Sequence, residues 1–122
     1  MKKILFIEDE SALQRAATQV LSEEGYTVLS ALDGVLGLEQ ARIQHPDLIL
    51  LDLILPKKDG FEVLSELKAD PATKSTPVII LSNLEGSADI EKALGLGATT
   101  YLVKTNYRLD EVVQKIKQTL GE

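Results

Sequence analysis

Short runs of consecutive apolar residues alternate along the chain with segments in which apolar residues recur every three or four positions. The clearest runs are Ile4-Leu5-Phe6-Ile7, Leu48-Ile49-Leu50-Leu51, Val78-Ile79-Ile80-Leu81 and Tyr101-Leu102-Val103. Runs this short, bounded by polar residues, predict strands buried on both faces. With the weaker run at 26–30, the pattern predicts strands over residues 3–8, 26–30, 47–51, 77–81 and 99–103. The segments between them read as helices. Ser11 looks like an N-cap with Gln14 at the capping-box position, and that helix runs to Glu24 before a stop at Gly25. Asp33-Gly34 makes a turn. Val35, Leu36, Leu38 and Ala41 then form a helix face up to His45, which Pro46 ends. Phe61, Val63, Leu64 and Leu67 give a short helix broken at Asp70-Pro71. Ser87 caps the next, with Ile90, Ala93 and Leu94 as its apolar positions and Gly95 and Gly97 closing it. Leu109, Val112, Val113, Ile116 and Leu120 carry the last.

Five strand–helix units in 122 residues predict one α/β domain, residues 1–122, built on a five-stranded parallel sheet with helices on both faces. Right-handed crossovers leave few topologies, and the common five-strand solution is the order 2-1-3-4-5. Its switch point lies at the carboxyl ends of the first and third strands.

Polar residues stand at those ends: Glu8-Asp9 after the first strand, Asp52 after the third, Ser82 after the fourth and Lys104 after the fifth. Carboxylates gathered in one crevice repel unless a proton or a cation lies among them. Hard oxygen donors without His or Cys favour magnesium, with Asp9 and Asp52 as direct ligands and Glu8 acting directly or through water. Alone, the acidic triplet Glu8-Asp9-Glu10 also fits a solvated turn ahead of a helix. Asp52, behind a continuous apolar run, tips the balance, because a carboxylate there needs partners. Lys104 supplies a positive charge opposite the acids and Ser82 a hydroxyl for a phosphoryl oxygen. Read singly, Ser82 is a strand-end residue, Lys104 an ordinary ion-pair partner and Tyr101 a core aromatic with its hydroxyl near the surface. His45 falls far from the crevice and reads as structural.

Composition narrows the function. The net charge of −6 disfavours nonspecific binding to nucleic acid or anionic membranes. There is no cysteine, hence no disulfide, thiolate metal site or cysteine nucleophile. No apolar run reaches the roughly 18 residues of a membrane span, and the stretch after Lys2-Lys3 is too short for a signal peptide. A cytoplasmic protein is the expectation.

Taken in order, Ile7-Glu8-Asp9-Glu10, the stretch Asp47 to Pro56, Asp59-Gly60-Phe61-Glu62-Val63-Leu64, Pro77 to Ser82, Gly97-Ala98 and Tyr101-Leu102-Val103-Lys104 resemble the receiver domain of two-component response regulators along essentially the whole chain. The resemblance implies a doubly wound, flavodoxin-like fold of the stand-alone type. It also implies that Asp52 accepts a phosphoryl group from a phosphohistidine on a sensor histidine kinase or phosphotransfer protein. Glu8, Asp9, Asp52 and the main-chain carbonyl of Ile54 would hold Mg2+. Lys104 and Ser82 would contact the phosphoryl oxygens, with Ser82 and Tyr101 as the switch pair. The surface over residues 84–120 would then change its affinity for a downstream protein. The implied protein is a phosphoacceptor with self-catalysed transfer rather than a conventional enzyme.

The chain departs from the family pattern in three places. Thr105 follows the site lysine where the family has a proline in a cis bond, and a cis bond to a non-proline residue costs about 2.5–4 kcal/mol. A trans Lys104–Thr105 bond and a rearranged loop are therefore expected. Asn83 stands where a small residue is usual. Ile54 and Leu84, two residues after Asp52 and Ser82, cannot orient a hydrolytic water, so a long-lived phospho-aspartate is expected. A haloacid-dehalogenase-type enzyme would need an aspartate where Ile54 stands. A flavodoxin-like redox protein would want a Ser/Thr/Gly-rich phosphate loop where Glu8-Asp9-Glu10 stands. A pseudo-receiver that binds partners without phosphorylation keeps the fold and drops the chemistry. Nothing in the sequence names the kinase, the stimulus or the target.

Overall fold

The computed structural model describes residues 2–122. Its strands are β1 Lys3–Ile7, β2 Thr27–Ala31, β3 Leu48–Leu51, β4 Val78–Ser82 and β5 Thr100–Val103. Its helices are α1 Ser11–Glu23, α2 Gly34–Gln44, α3 Gly60–Ala69, α4 Ser87–Gly95 and α5 Leu109–Leu120. All strand pairs are parallel, in the order β2-β1-β3-β4-β5, as the alternation of patterns implied.

The apolar runs have no polar partner position because both faces of the sheet are covered. Leu5, Ile7, Ile49, Leu51, Val78 and Ile80 point to one side, against Leu38 and Ala41 of α2, Val63, Leu64 and Leu67 of α3, and Ala93 of α4. Ile4, Phe6, Leu48, Leu50, Ile79, Leu81 and Leu102 point to the other, against Ala17 and Leu21 of α1 and Val112, Val113 and Ile116 of α5. The two-residue period of a strand thus divides the core into two layers.

Several local expectations change. Ser11 does not cap α1: Glu10 occupies the N-cap without a side-chain bond, and Gln14 turns inward instead of back along the helix. Ser87 is the first residue of α4, and Gly86 precedes it at the N-cap. Aspartates cap α2 and α3, where Asp33 accepts from Leu36 N–H at 2.8 Å and Asp59 from Glu62 N–H at 3.0 Å, and at the start of α5 Glu111 accepts from Arg108 N–H at 3.0 Å. Val35 and Leu36, expected on the buried face of α2, lie 46% and 44% exposed, and Leu94 on α4 is 45% exposed. The buried stripe of α2 is carried by Gly34, Gly37, Leu38 and Ala41, because small residues let the helix approach the sheet closely. The first strand ends at Ile7, one residue short of Glu8, and the second is Thr27–Ala31 rather than 26–30. His45 ends α2 in the left-handed region with φ 48°, on the segment leading into β3 and away from the carboxyl edge of the sheet.

Candidate functional site

Strand register assembles the site. Ile7 pairs with Leu51, so Glu8 and Asp52 leave neighbouring strands at the same level. Asp52 N–H donates to Ile7 O at 3.0 Å, which fixes the acid's backbone at the strand end. Ser82 pairs with Val103, which places Lys104 one residue beyond it. Glu8, Asp52 and Ser82 are buried, at 1%, 4% and 0% exposure, whereas Asp9 is exposed.

Carboxylate oxygens of Glu8, Asp9 and Asp52 lie within 4.8 Å of one another. Lys104 Nζ reaches Glu8 Oε1 at 2.7 Å and Asp52 Oδ2 at 3.0 Å. Asp52 Oδ1 accepts from Ile54 N–H at 3.3 Å. Glu8, Asp9, Glu10, Asp52, Ile54, Asn83 and Lys104 line an open cleft of about 220 Å3. Burial pushes the Glu8 carboxyl above its ordinary value, with Asp52 adding to the rise, and the Lys104 hydrogen bond offsets only part of it. Burial pulls Lys104 down, but hydrogen bonds to Glu8 and Asp52 outweigh it and the ammonium is held above its ordinary value.

The three clustered carboxylates carry a formal charge of −2 after the Lys104 ammonium is counted, and Glu10 at the cleft wall adds another negative charge, so the site favours a divalent cation. All the donors are hard oxygens, which fits magnesium or manganese. Ile54 borders the cleft, with its side chain 56% exposed.

Ser82 and Tyr101 meet at one residue. Ser82 Oγ accepts from Leu84 N–H at 3.4 Å, and Tyr101 Oη donates to Leu84 O at 2.7 Å. Burial raises the Tyr101 hydroxyl above its ordinary value, so it stays protonated and donates at neutral pH. Among the described residues no peptide bond is cis, and Lys104–Asn106 form a single 3-10 turn after β5. The expected trans bond is present, and Lys104 is aimed at the acids without a proline behind it.

The residue that sequence reasoning misplaced is Gln14. Its Nε2 donates to the carbonyls of Phe6, Glu8 and Ala31, behind the acidic doublet. The sequence signal was a polar residue in the buried stripe Gln14, Ala17, Leu21 of α1.

Comparison with known proteins completes the description. The family model for the response regulator receiver domain matches residues 4–117. Protein PilG of Pseudomonas aeruginosa is 34% identical over 115 residues, covering 94% of this chain and 84% of PilG. Several other curated relatives are longer, and the chain spans half of their length or less. Among solved structures, the Mn2+-bound response regulator Rcp1 is 35% identical with a TM-score of 0.82, covering 96% of this chain and 92% of that one. The receiver domain of sensor histidine kinase PA1611 from Pseudomonas aeruginosa, solved with magnesium in its active-site cleft, is 29% identical with a TM-score of 0.89, covering 99% and 98%.

Proposed function

The chain belongs to the response regulator receiver domain family, a phosphorylation-driven signalling module rather than a conventional enzyme, and from that premise we propose that Asp52 is its phosphoacceptor. The observation that carries the proposal is the Asp52 carboxylate, 4% exposed, held between the acids of β1 and the Lys104 ammonium.

In the proposed reaction an Asp52 carboxylate oxygen attacks the phosphorus of a phosphohistidine. The P–O bond forms as the P–N bond breaks, and the imidazole leaves with the electron pair. The chain's own groups supply position and charge. β3 fixes the nucleophile's backbone, and Lys104 offers N–H donors to the phosphoryl oxygens. Ser82 lies buried at the adjacent strand end. Glu8, Asp9, Asp52 and the Ile54 carbonyl would hold Mg2+, which when bound neutralises charge on the transferring group. Phosphorylation adds roughly −1 to −2 of charge at one point. Ser82 would move toward it, releasing the Leu84 N–H and with it the Tyr101 contact, and the surface over residues 84–120 would change its protein partner. The whole chain, 1–122, acts as a single receiver unit under this reading. Its partners are a sensor histidine kinase or phosphotransfer protein and a downstream protein. The family resemblance makes the cytoplasm the proposed compartment. No helix among the described residues is long and apolar enough to cross a membrane.

The test is radiolabelled phosphotransfer from a phosphorylated sensor kinase, with and without Mg2+, to the wild-type chain and to Asp52→Asn. Label is expected only in the wild type with metal present. Equal labelling of Asp52→Asn, or labelling indifferent to chelation, overturns the assignment.

A further inference from the structure

Gln14 is buried, 5% exposed, on a stripe of α1 whose other buried members are Ala17 and Leu21. A helix packing on a sheet calls for an apolar residue there, and an amide is placed there at a desolvation cost. Its Oε1 has no hydrogen-bond partner among the described residues. The two N–H groups of its Nε2 serve three carbonyls, one hydrogen being shared: Phe6 O at 2.8 Å, Glu8 O at 3.1 Å and Ala31 O at 3.2 Å. These carbonyls belong to the ends of β1 and β2 and to the first residue beyond β1.

We propose that Gln14 is a positioning residue for the cation site, setting the peptide between Glu8 and Asp9 and so the direction in which Asp9 leaves the sheet. The proposal rests on reading Glu8, Asp9 and Asp52 as cation ligands. Asp52 needs no such help, since its N–H is tied to Ile7 O within the sheet. Glu8 N–H is likewise tied, to Ala31 O at 2.9 Å. Asp9 lies between the end of β1 and the start of α1, in neither element, and is exposed. The chain that follows Asp9 is held by Glu10 N–H, which donates to Glu8 Oε2 at 3.1 Å, and by Glu10 O, which accepts from Gln14 N–H at 3.0 Å; the peptide that precedes it is held through the Glu8 carbonyl, and the donor on that carbonyl is the Gln14 side chain. The same amide is anchored on Phe6 O and Ala31 O, within β1 and β2. Gln14 therefore references the Asp9 backbone to the ends of two strands. Outer-shell groups of this kind restrict a ligand to its bound geometry before the ion arrives.

The test compares wild-type protein, Gln14→Met and Gln14→Asn as full chains. Met matches the length and volume of Gln without a donor. Asn keeps the amide but is too short to span the three carbonyls. Mg2+ affinity is measured by isothermal titration calorimetry well below the melting temperature, beside thermal unfolding in chelator and amide shifts of Asp9 and Glu10. The Met variant is expected to bind Mg2+ roughly tenfold more weakly while folded, the magnitude ordinary for loss of an outer-shell partner. Asn is expected to move the same way and carries the test if Met does not fold. A purely structural role would lower the melting temperature and leave the Mg2+ affinity of the folded variants unchanged, and that result overturns the proposal. Wild-type protein that binds no Mg2+ overturns the cation reading itself, which separates the two failures.

Discussion

Gly60 opens α3 and stands against the main chain just past the end of β3, at the proposed phosphoacceptor Asp52 and at Leu53. A Cβ added there would lie 2.4 Å from the Asp52 carbonyl oxygen and 2.4 Å from Leu53 Cα. Carbon contacts are comfortable near 3.5 Å, so the Asp52–Leu53 backbone and the start of α3 must part by about 1 Å. Both obstacles are main chain, and no side chain can swing aside. Overpacking of this kind costs about 1–3 kcal/mol, here at the upper end. Alanine recovers at most about 1 kcal/mol of helix propensity over glycine. Gly60→Ala is therefore expected to destabilise by about 2 kcal/mol. For a chain of this size that is a fall in Tm of about 6–10 °C. Gly95, the last residue of α4, is the control, because nothing lies within 4 Å of its added Cβ and its φ is not positive. Gly95→Ala is expected to stabilise by about 0.4–1 kcal/mol through the unfolded state. Differential scanning calorimetry of the two variants in chelator measures both shifts. Phosphotransfer to Gly60→Ala should also slow, since the displaced backbone carries Asp52. A Gly60→Ala protein that melts at or above wild type, or two variants shifting in the same direction, refutes the reasoning.

Burial holds the Glu8 carboxyl of the folded chain above its ordinary value, so in the pH window just above that ordinary value the native state keeps a proton the unfolded chain has lost. Its contribution to stability therefore falls as pH rises through that window, and in chelator the wild type should gain stability on acidification across it relative to Glu8→Gln, measured by urea midpoints; parallel profiles would count against the assignment. Thr73 Oγ1 donates to Leu67 O at 2.7 Å, replacing the helical N–H that Pro71 lacks, and Thr73→Val should cost about 1–3 kcal/mol by denaturant unfolding, with an unchanged midpoint as the contrary result. The apolar Ile54 and Leu84 offer no side-chain group to orient water, so phospho-Asp52 should persist far beyond seconds in the purified protein with Mg2+; loss of radiolabel within seconds would reject this.

Much of this was legible in the chain because buried parallel strands read as unbroken apolar runs. Once Ile7, Leu51, Leu81 and Val103 were placed at strand ends, Glu8, Asp52, Ser82 and Lys104 had to emerge together. Gln14 was not legible for its role. A polar residue three positions after a serine has the spacing of a capping box, and only the packed helix shows that the amide turns inward to three carbonyls. Val35 and Leu36 misled for the opposite reason: helical spacing marks apolar positions, but the close approach permitted by Gly34 and Gly37 decides which of them face the sheet. Asp33 and Asp59 cap their helices because each directly precedes the first helical residue, whereas Ser11 and Ser87 are the first residues inside theirs and leave the N-cap to Glu10 and Gly86.

Leu84 joins the two halves of the proposed switch through its backbone. Its amide hydrogen belongs to the serine near the acids and its carbonyl oxygen to the tyrosine at the rim. Isotopic labelling of this one residue would follow both ends of the proposed switch: the nitrogen-bound proton reports the inner event, the carbonyl carbon the outer one. Simultaneous shifts would describe a rigid lever, and staggered shifts a relay with a resting point between its strokes.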